Sequence, residues 1–304
     1  MRKNQTFDGV LPINKPAGMT SHDVVASLRR ILGIKKIGHA GTLDPEVTGV
    51  LPICIGKATR ISEFLMESPK KYQGQLTLGK STTTQDFTGE TTERVDVYGV
   101  TKEEIERVFE SFIGEIEQVP PMYSSVKIHG KKLYELARQG KEVVRKPRKV
   151  TIYDLKLIGC DLEHNNPTID FQVVCSKGTY VRTLCVDIGN KLGYPAHMSK
   201  LVRLESGSFN LEQSLSLEEV ERHVKENKLD EILVPMANSL PDFQEVVLSD
   251  EEILNKVFNG QVIRVESLKF DEGIFKVVNR DGKLVALYEK AKDSLIAKPI
   301  KVFK

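Results

Sequence analysis

Gly38-His39-Ala40-Gly41-Thr42-Leu43-Asp44-Pro45-Glu46-Val47-Thr48-Gly49-Val50-Leu51 sets one aspartate in a stretch shaped by three glycines. Gly41 and Gly49 allow backbone paths that other residues resist. Pro45 holds Asp44 out of the helical region. The run Val50, Leu51, Pro52, Ile53, Cys54 and Ile55 follows, so the loop is expected to be anchored to a buried strand. The local pattern by itself suits an aspartate that caps a turn through its own backbone bonds.

On either side the chain mixes strands and helices. Ser21 is positioned to cap a helix running to Leu32, with Val24, Val25, Leu28, Ile31 and Leu32 on one face and Gly33 as its stop. Residues 72–78 read as a strand. Thr101 and Glu104 form a capping box for a helix with Ile105, Val108, Phe109 and Phe112 inward, ending near Gly114. Residues 132–139 suit a short helix, 150–158 and 168–175 alternate like strands, and 179–192 is helical before Gly193. Ser216 with Glu219, and Ser249 with Glu252, are two further capping boxes. After Pro235 a short helix (about 250–258) precedes four short strands, 261–265, 273–279, 284–289 and 296–302, with Asp281-Gly282 as a hairpin turn. Such strands suggest a small β-barrel or half-barrel.

The chain has 304 residues, enough for two domains, and the boundary is expected between 233 and 245. An apolar share of 40% and a charged share of 28% exclude a disordered or collagen-like chain. No window approaches the roughly 18 apolar residues of a membrane span, and the start MRKNQTFDGVLPINKP lacks the apolar run of a secretory signal. Cys54, Cys160, Cys175 and Cys185 form no CxxC pair and read as reduced core thiols of a cytoplasmic protein.

The net charge of +2 divides unevenly: residues 1–150 hold +6 and residues 151–304 hold −4. From 123 to 150, nine basic residues (Lys127, Lys131, Lys132, Arg138, Lys141, Arg145, Lys146, Arg148, Lys149) face only Glu135 and Glu142. A stripe of one sign, with Tyr123 and Tyr134 inside it, suits a polyanion at one face as well as it suits a solvated surface.

Other chemistries lack their motifs. There is no GxGxxG, no HExxH, no G-x-S-x-G and no His/Cys group at metal-ligand spacing. Gly33 and Gly38 have P-loop spacing, but His39 stands where the phosphate-binding lysine belongs. No cofactor and no metal are expected.

Lys15-Pro16-Ala17-Gly18-Met19-Thr20-Ser21 followed by GHAGTLDPEVTGVL resembles the TruB family of tRNA pseudouridine-55 synthases. Further blocks agree in the same order over about 10–207. They are Lys71-Tyr72 leading to LGKSTTTQDFTGE, PPMYSSVK with Gly130 and LYELAR, CSKGTYVRTL, and the stretch 193–207 with Ala196-His197 and Leu201. The tail from about 241 resembles a PUA domain, a small RNA-binding β module.

The resemblance implies an α+β pseudouridine synthase fold with a central mixed, largely antiparallel sheet. The catalytic domain would span 1–235, with a basic RNA-gripping segment at 123–150, and the PUA-like domain 241–304. It implies that a tRNA T-loop uridine becomes pseudouridine: the N1–C1′ bond breaks, the base turns, and C5 bonds to C1′. Asp44 matches the catalytic aspartate; attack at C1′, attack at C6 and a glycal route all stay open. Arg182 matches the arginine that pairs with that aspartate, and an adjacent cation keeps a desolvated carboxylate ionised. On its own pattern Arg182 would be a solvent-facing helix charge. Tyr72 matches the active-site tyrosine that stacks on the flipped uracil; on its own pattern it is a core aromatic. His39 matches a histidine that fills the T-loop when the base leaves. Leu201 matches a leucine lining the uracil pocket. Lys15 matches a basic residue near the site and would otherwise be a solvated lysine. Tyr180 joins the expected substrate contacts, as do Lys127, Lys146 and Arg148 of the stripe.

Departures from the family pattern are Thr83, Ser125, Val47 and Val202, none at a catalytic position. The expected partner is a tRNA T-stem-loop, bound by a monomer with no membrane and no obligatory protein partner. The rivals are a guide-RNA-dependent synthase that needs partner proteins, a non-catalytic RNA-binding protein, and a nucleoside hydrolase that releases free uracil.

Overall fold

The computed structural model describes residues 7–128, 130–265 and 272–304. The contacts divide the chain into two compact units. One contains the residues up to Asp44, Val50–Met66 and Ser208–Lys304; the other contains Pro45–Gly49 and Glu67–Gly207.

In the second unit the strands Ala196–Ser206, Lys70–Leu78, Thr168–Cys175, Arg148–Asp161 and Gly114–Gln118 lie side by side in that order, all antiparallel. Thr48 and Gly49 add a short parallel pairing beside Val202 and Arg203. The sheet is therefore mixed and largely antiparallel. Ile169, Phe171, Val173 and Cys175 alternate inward as their period of two requires. The helix Lys102–Glu110 carries the Thr101–Glu104 capping box and buries Ile105 and Phe109; Val108 and Phe112, expected inward as well, are only half-buried. The helix Val181–Lys191 packs on the strand Ala196–Ser206 so closely that a β-carbon on Gly189 would lie 2.3 Å from that of Ala196.

In the first unit the strand Gly9–Lys15 precedes the helix Ser21–Leu32, which ends on left-handed Gly33. The cap is Thr20, one residue before the expected Ser21, and Asp23 completes its capping box. Ser21 is thereby left to bond elsewhere. Likewise Asp250, not Ser249, caps the helix Glu251–Phe258, because its carboxylate accepts from both Glu252 N and Ile253 N. The Ser216–Glu219 box is present as expected.

Five C-terminal strands run in the order Gln244–Val247, Gly273–Val278, Leu284–Lys290, Ile296–Val302, Ile263–Arg264. Under the helix Glu251–Phe258 they bury Val257, Phe275, Val277 and Tyr288. Leu284, Leu287 and Phe303 join a different cluster with Val10, Val50, Cys54 and Ile61. Lys276 is buried, and its ammonium donates to the carbonyls of Ala237 (2.8 Å) and Leu240 (3.3 Å). The four cysteines are unpaired; three are buried and Cys160 is half-buried. Burial pushes the Cys54 thiol up to about 12.

Candidate active site

The expected site residues fall in both units. In the first, the strand Ile37–His39 pairs antiparallel with the end of the strand Thr48–Ile55, setting His39 opposite Ile53. Arg29 donates to the carbonyl of Ile37 (2.9 Å), and Ala40 N donates to the carbonyl of Pro52 (2.9 Å). The chain then turns through Gly41 at φ 111. Leu43 is fixed by a reciprocal pair: its N–H donates to Ser21 Oγ (2.9 Å) and its carbonyl accepts from that hydroxyl (3.2 Å). Ser21 is available because Thr20 does the capping. Asp44 follows, half-buried, with its backbone set by the residue before it. A tertiary staple thus fixes the backbone on the N-terminal side of Asp44.

Lys15 is fully buried and donates to the carbonyls of Pro16 (2.8 Å) and Met19 (2.7 Å). The alternative of a solvated lysine is wrong for a physical reason. The long side chain turns back onto backbone acceptors and holds the loop between strand and helix.

In the second unit Tyr72 and Leu201 share one face of the sheet. Arg203, Tyr72 and Val173 form one rung; Leu201, Gly74 and Phe171 form the next but one. Gly74 has no room for a side chain, since a β-carbon there would lie 2.7 Å from Phe171 Cζ and 2.9 Å from Leu201 Cδ1. Tyr72 is buried and Leu201 half-buried. On the other side of Tyr72, Lys70 occupies the next rung but one, opposite Cys175 and Ser206. Burial, and then the neighbouring Arg203 charge, lower the Lys70 ammonium to about 8.

Arg182 is 5% exposed, so it is not the solvent-facing helix charge that its local pattern allows. Its guanidinium donates to the carbonyls of Thr84 (2.9 Å) and Tyr123 (2.8 Å) and stands 3.8 Å from the Asp86 carboxylate. Asp86 is itself organised: it accepts from Thr84 Oγ1 (2.7 Å), Thr88 N (2.9 Å) and Thr88 Oγ1 (2.5 Å). Such a buried, multiply bonded cation has one orientation available to it. Tyr180, half-buried, is the N-cap residue of the same helix. Asp86 and the carbonyls of Thr84 and Tyr123 are not among the residues expected from the sequence. The run Thr82-Thr83-Thr84-Gln85-Asp86-Phe87-Thr88 carried the signal for Asp86, an acid ringed by hydroxyls.

The basic stripe divides by environment. Lys127, Lys146 and Arg148 are exposed. Lys132 and Arg138 both lie over the Tyr134 ring, each 5.5 Å from its centroid, and Lys149 bonds Glu115 at 2.8 Å. Arg145 is half-buried and donates to the carbonyl of Pro120 (3.1 Å).

Residues 29–181 match the family model of the TruB family pseudouridylate synthase N-terminal domain, and residues 182–241 that of the tRNA pseudouridylate synthase B C-terminal domain. A protein of Geobacillus thermodenitrificans named tRNA pseudouridine synthase B is 50% identical, over 98% of this chain and all of its own. One from Staphylococcus aureus with the same name is 47% identical, over 98% of this chain and 99% of its own. The chain belongs to the TruB family of pseudouridine synthases. As a TruB-family member it is an isomerase by class, and its fold is shared with solved relatives. A chain in a Cbf5-Nop10-Gar1 complex matches with a TM-score of 0.75 and 28% identity, covering 97% of this chain and 84% of the other. A chain in an H/ACA RNP bound to a substrate RNA containing 2′-deoxyuridine gives 0.72 and 27%, covering 97% and 85%. The α+β fold expected for a TruB chain, with its mixed sheet and separate C-terminal β module, is the fold observed.

Proposed function

We propose that this protein converts the T-loop uridine at position 55 of tRNA to pseudouridine, with Asp44 as the catalytic carboxylate. The observation that carries the reading is the Asp44 loop itself. A half-buried carboxylate follows a residue stapled on both backbone groups, in a chain whose 47–50% identical relatives are named tRNA pseudouridine synthase B.

The reaction is redox-neutral and loses no atoms. A glycoside hydrolase needs a second carboxylate to activate water, whereas an isomerase keeps water out and retains the detached base, so one carboxylate suffices. Arg182 supplies the fixed cation of the site, and its rigid carbonyl contacts favour that role. Tyr72 stacks on the uracil, Leu201 on the same sheet face lines the pocket, and Tyr180 contacts the substrate. His39 takes the space vacated in the T-loop. Lys15 acts through the loop whose carbonyls it holds. Unstacking the target base costs a few kcal/mol. Contacts from exposed Lys127, Lys146 and Arg148 to phosphates offset that cost.

Residues 1–235 form the catalytic module and 241–304 a PUA-like RNA-binding module, supported by its separate five-stranded sheet. The protein acts as a monomer without a guide RNA or protein partner. The basic segment within its own chain, and its higher identity to the tRNA enzymes than to the chains of the complexes, favour that form. Four unpaired cysteines suit the reducing cytoplasm.

The test is tritium release from [5-³H]uridine-labelled tRNA by purified protein in EDTA, without nucleotide. Release by the wild type and none by Asp44→Asn is expected. Undiminished release by the variant would remove Asp44 from its role, and liberation of free uracil would make the protein a hydrolase.

A further inference from the structure

The helix Val181–Lys191 begins without a side-chain cap: Tyr180 is its N-cap, in extended conformation, and its side chain makes no capping bond. Both backbone polar groups of Tyr180 are instead taken by one side chain from elsewhere. Its N–H donates to Gln118 Oε1 at 3.0 Å, and its carbonyl accepts from Gln118 Nε2 at 3.3 Å. The same carbonyl takes the first helical bond, from Leu184 N at 3.0 Å. Gln118 is 2% exposed and ends the strand Gly114–Gln118, where it pairs in register with Arg148. Arg182 lies two residues past Tyr180 and bonds the carbonyl of Tyr123, five residues past Gln118. One short segment, 118–123, thus grips the helix entry at one end and the guanidinium at the other. Its base is also the base of the basic segment, since Arg148 closes onto Gln118.

We infer that Gln118 is a positioning residue: its amide fixes the Tyr180 backbone, and through it the Arg182 guanidinium, at the point where the RNA-gripping segment leaves the sheet. This rests on the proposed role of Arg182. A primary amide offers donor and acceptor together. An ionised carboxylate would still accept from Tyr180 N, but it would set a lone pair against the Tyr180 carbonyl. A protonated carboxyl would restore both bonds.

The experiment compares full-length wild type, Gln118→Glu and Gln118→Met in single-turnover tritium release from [5-³H]uridine-labelled tRNA between pH 5.5 and 8.5. Filter binding gives the tRNA Kd, and circular dichroism monitors the fold. At pH 8 both variants should release tritium roughly tenfold more slowly than wild type, the loss expected for one or two buried hydrogen bonds. Their Kd should stay within about twofold, because positioning acts on the reacting state. Lowering the pH should bring Gln118→Glu back toward the wild-type rate at the same pH while Gln118→Met stays slow. Wild-type rates in both variants would overturn the inference, as would a loss confined to Kd. A Gln118→Glu deficit that does not change with pH would overturn it as well. Variants unfolded at 25 °C would also overturn it, by making Gln118 a residue that holds the fold. A silent wild type would instead remove the reading of Arg182 and take this inference with it.

Discussion

Gly49 lies against the backbone of Arg203: a β-carbon at position 49 would stand 2.2 Å from the Arg203 carbonyl oxygen and 2.8 Å from its amide nitrogen. The two residues are paired in parallel register, and Gly49 adopts φ 102, a conformation that side chains resist. Position 49 therefore requires glycine twice over, for its backbone path and for the approach. The contact ties the segment just after Asp44 to the strand that also carries Leu201.

Gly49→Ala should consequently cost about 2–4 kcal/mol, combining backbone strain with overpacking against atoms that cannot move aside. Because the displaced segment begins one residue after Asp44, the single-turnover rate should fall at least tenfold, beyond what any loss of folded protein explains. Chemical denaturation and tritium release on the same sample check both parts. A variant as stable and as fast as wild type would mean that the backbone of residues 45–49 relaxes freely.

Ser21→Ala removes both bonds of the staple and leaves the buried Leu43 N–H and carbonyl without that partner. A buried donor stranded in this way costs about 1–3 kcal/mol. The cap at Thr20 is untouched, so helix content should be unchanged while stability and turnover both drop. Loss of helical signal in circular dichroism would show that Ser21 serves the helix and not the loop.

Local chemistry was the legible part of the sequence. Gly33, the Thr101–Glu104 box and the Ser216–Glu219 box act within a few residues of themselves, and the structure has each of them. At the first helix the cap falls on Thr20, one residue before the expected Ser21, and Ser21 bonds Leu43 across the fold instead. The strand Ala196–Ser206 was not legible because it holds His197, Lys200 and Arg203 and lies between two neighbours, so its pattern reflects pairing and not amphipathicity. The strand Gly9–Lys15 was hidden by Pro12 and by Lys15, whose ammonium bonds backbone carbonyls. Asp86 and Gln118 escaped notice because their partners, Arg182 and Tyr180, stand 96 and 62 residues away in the sequence.

Burial pushes the Asp187 carboxyl up to about 6. An unfolded aspartate titrates near 3.9, so between these values the folded protein holds a proton that the unfolded chain has lost. Stability should therefore decline as the pH rises from 4 to 7. Asp187 is half-buried, and solvent screens the effect to about 1–2 kcal/mol. Asp187→Asn removes the titration. Its Tm advantage over wild type should be near zero at pH 4 and grow to a few degrees by pH 8. An advantage that stays constant over that range would show that the carboxyl is solvated in the folded state.

Lys146 and Arg148 are exposed in a stripe where Lys132, Arg138 and Lys149 are engaged by Tyr134 and Glu115. Exposed cations at one edge of the basic segment are the ones placed to displace counterions from RNA. Each phosphate contact contributes roughly 0.7–0.9 to the slope of log affinity against log salt. Reversing both charges, Lys146→Glu with Arg148→Glu, should flatten that slope by about 1.4–1.8 and weaken tRNA binding most at low salt. The backbone pairing of Arg148 with Gln118 does not depend on the Arg148 side chain, so the fold should be retained. Equal affinity and slope in wild type and variant would move the RNA contact elsewhere on the protein. A uniform loss of affinity with an unchanged slope would mean that these residues support the segment's conformation and do not touch phosphate.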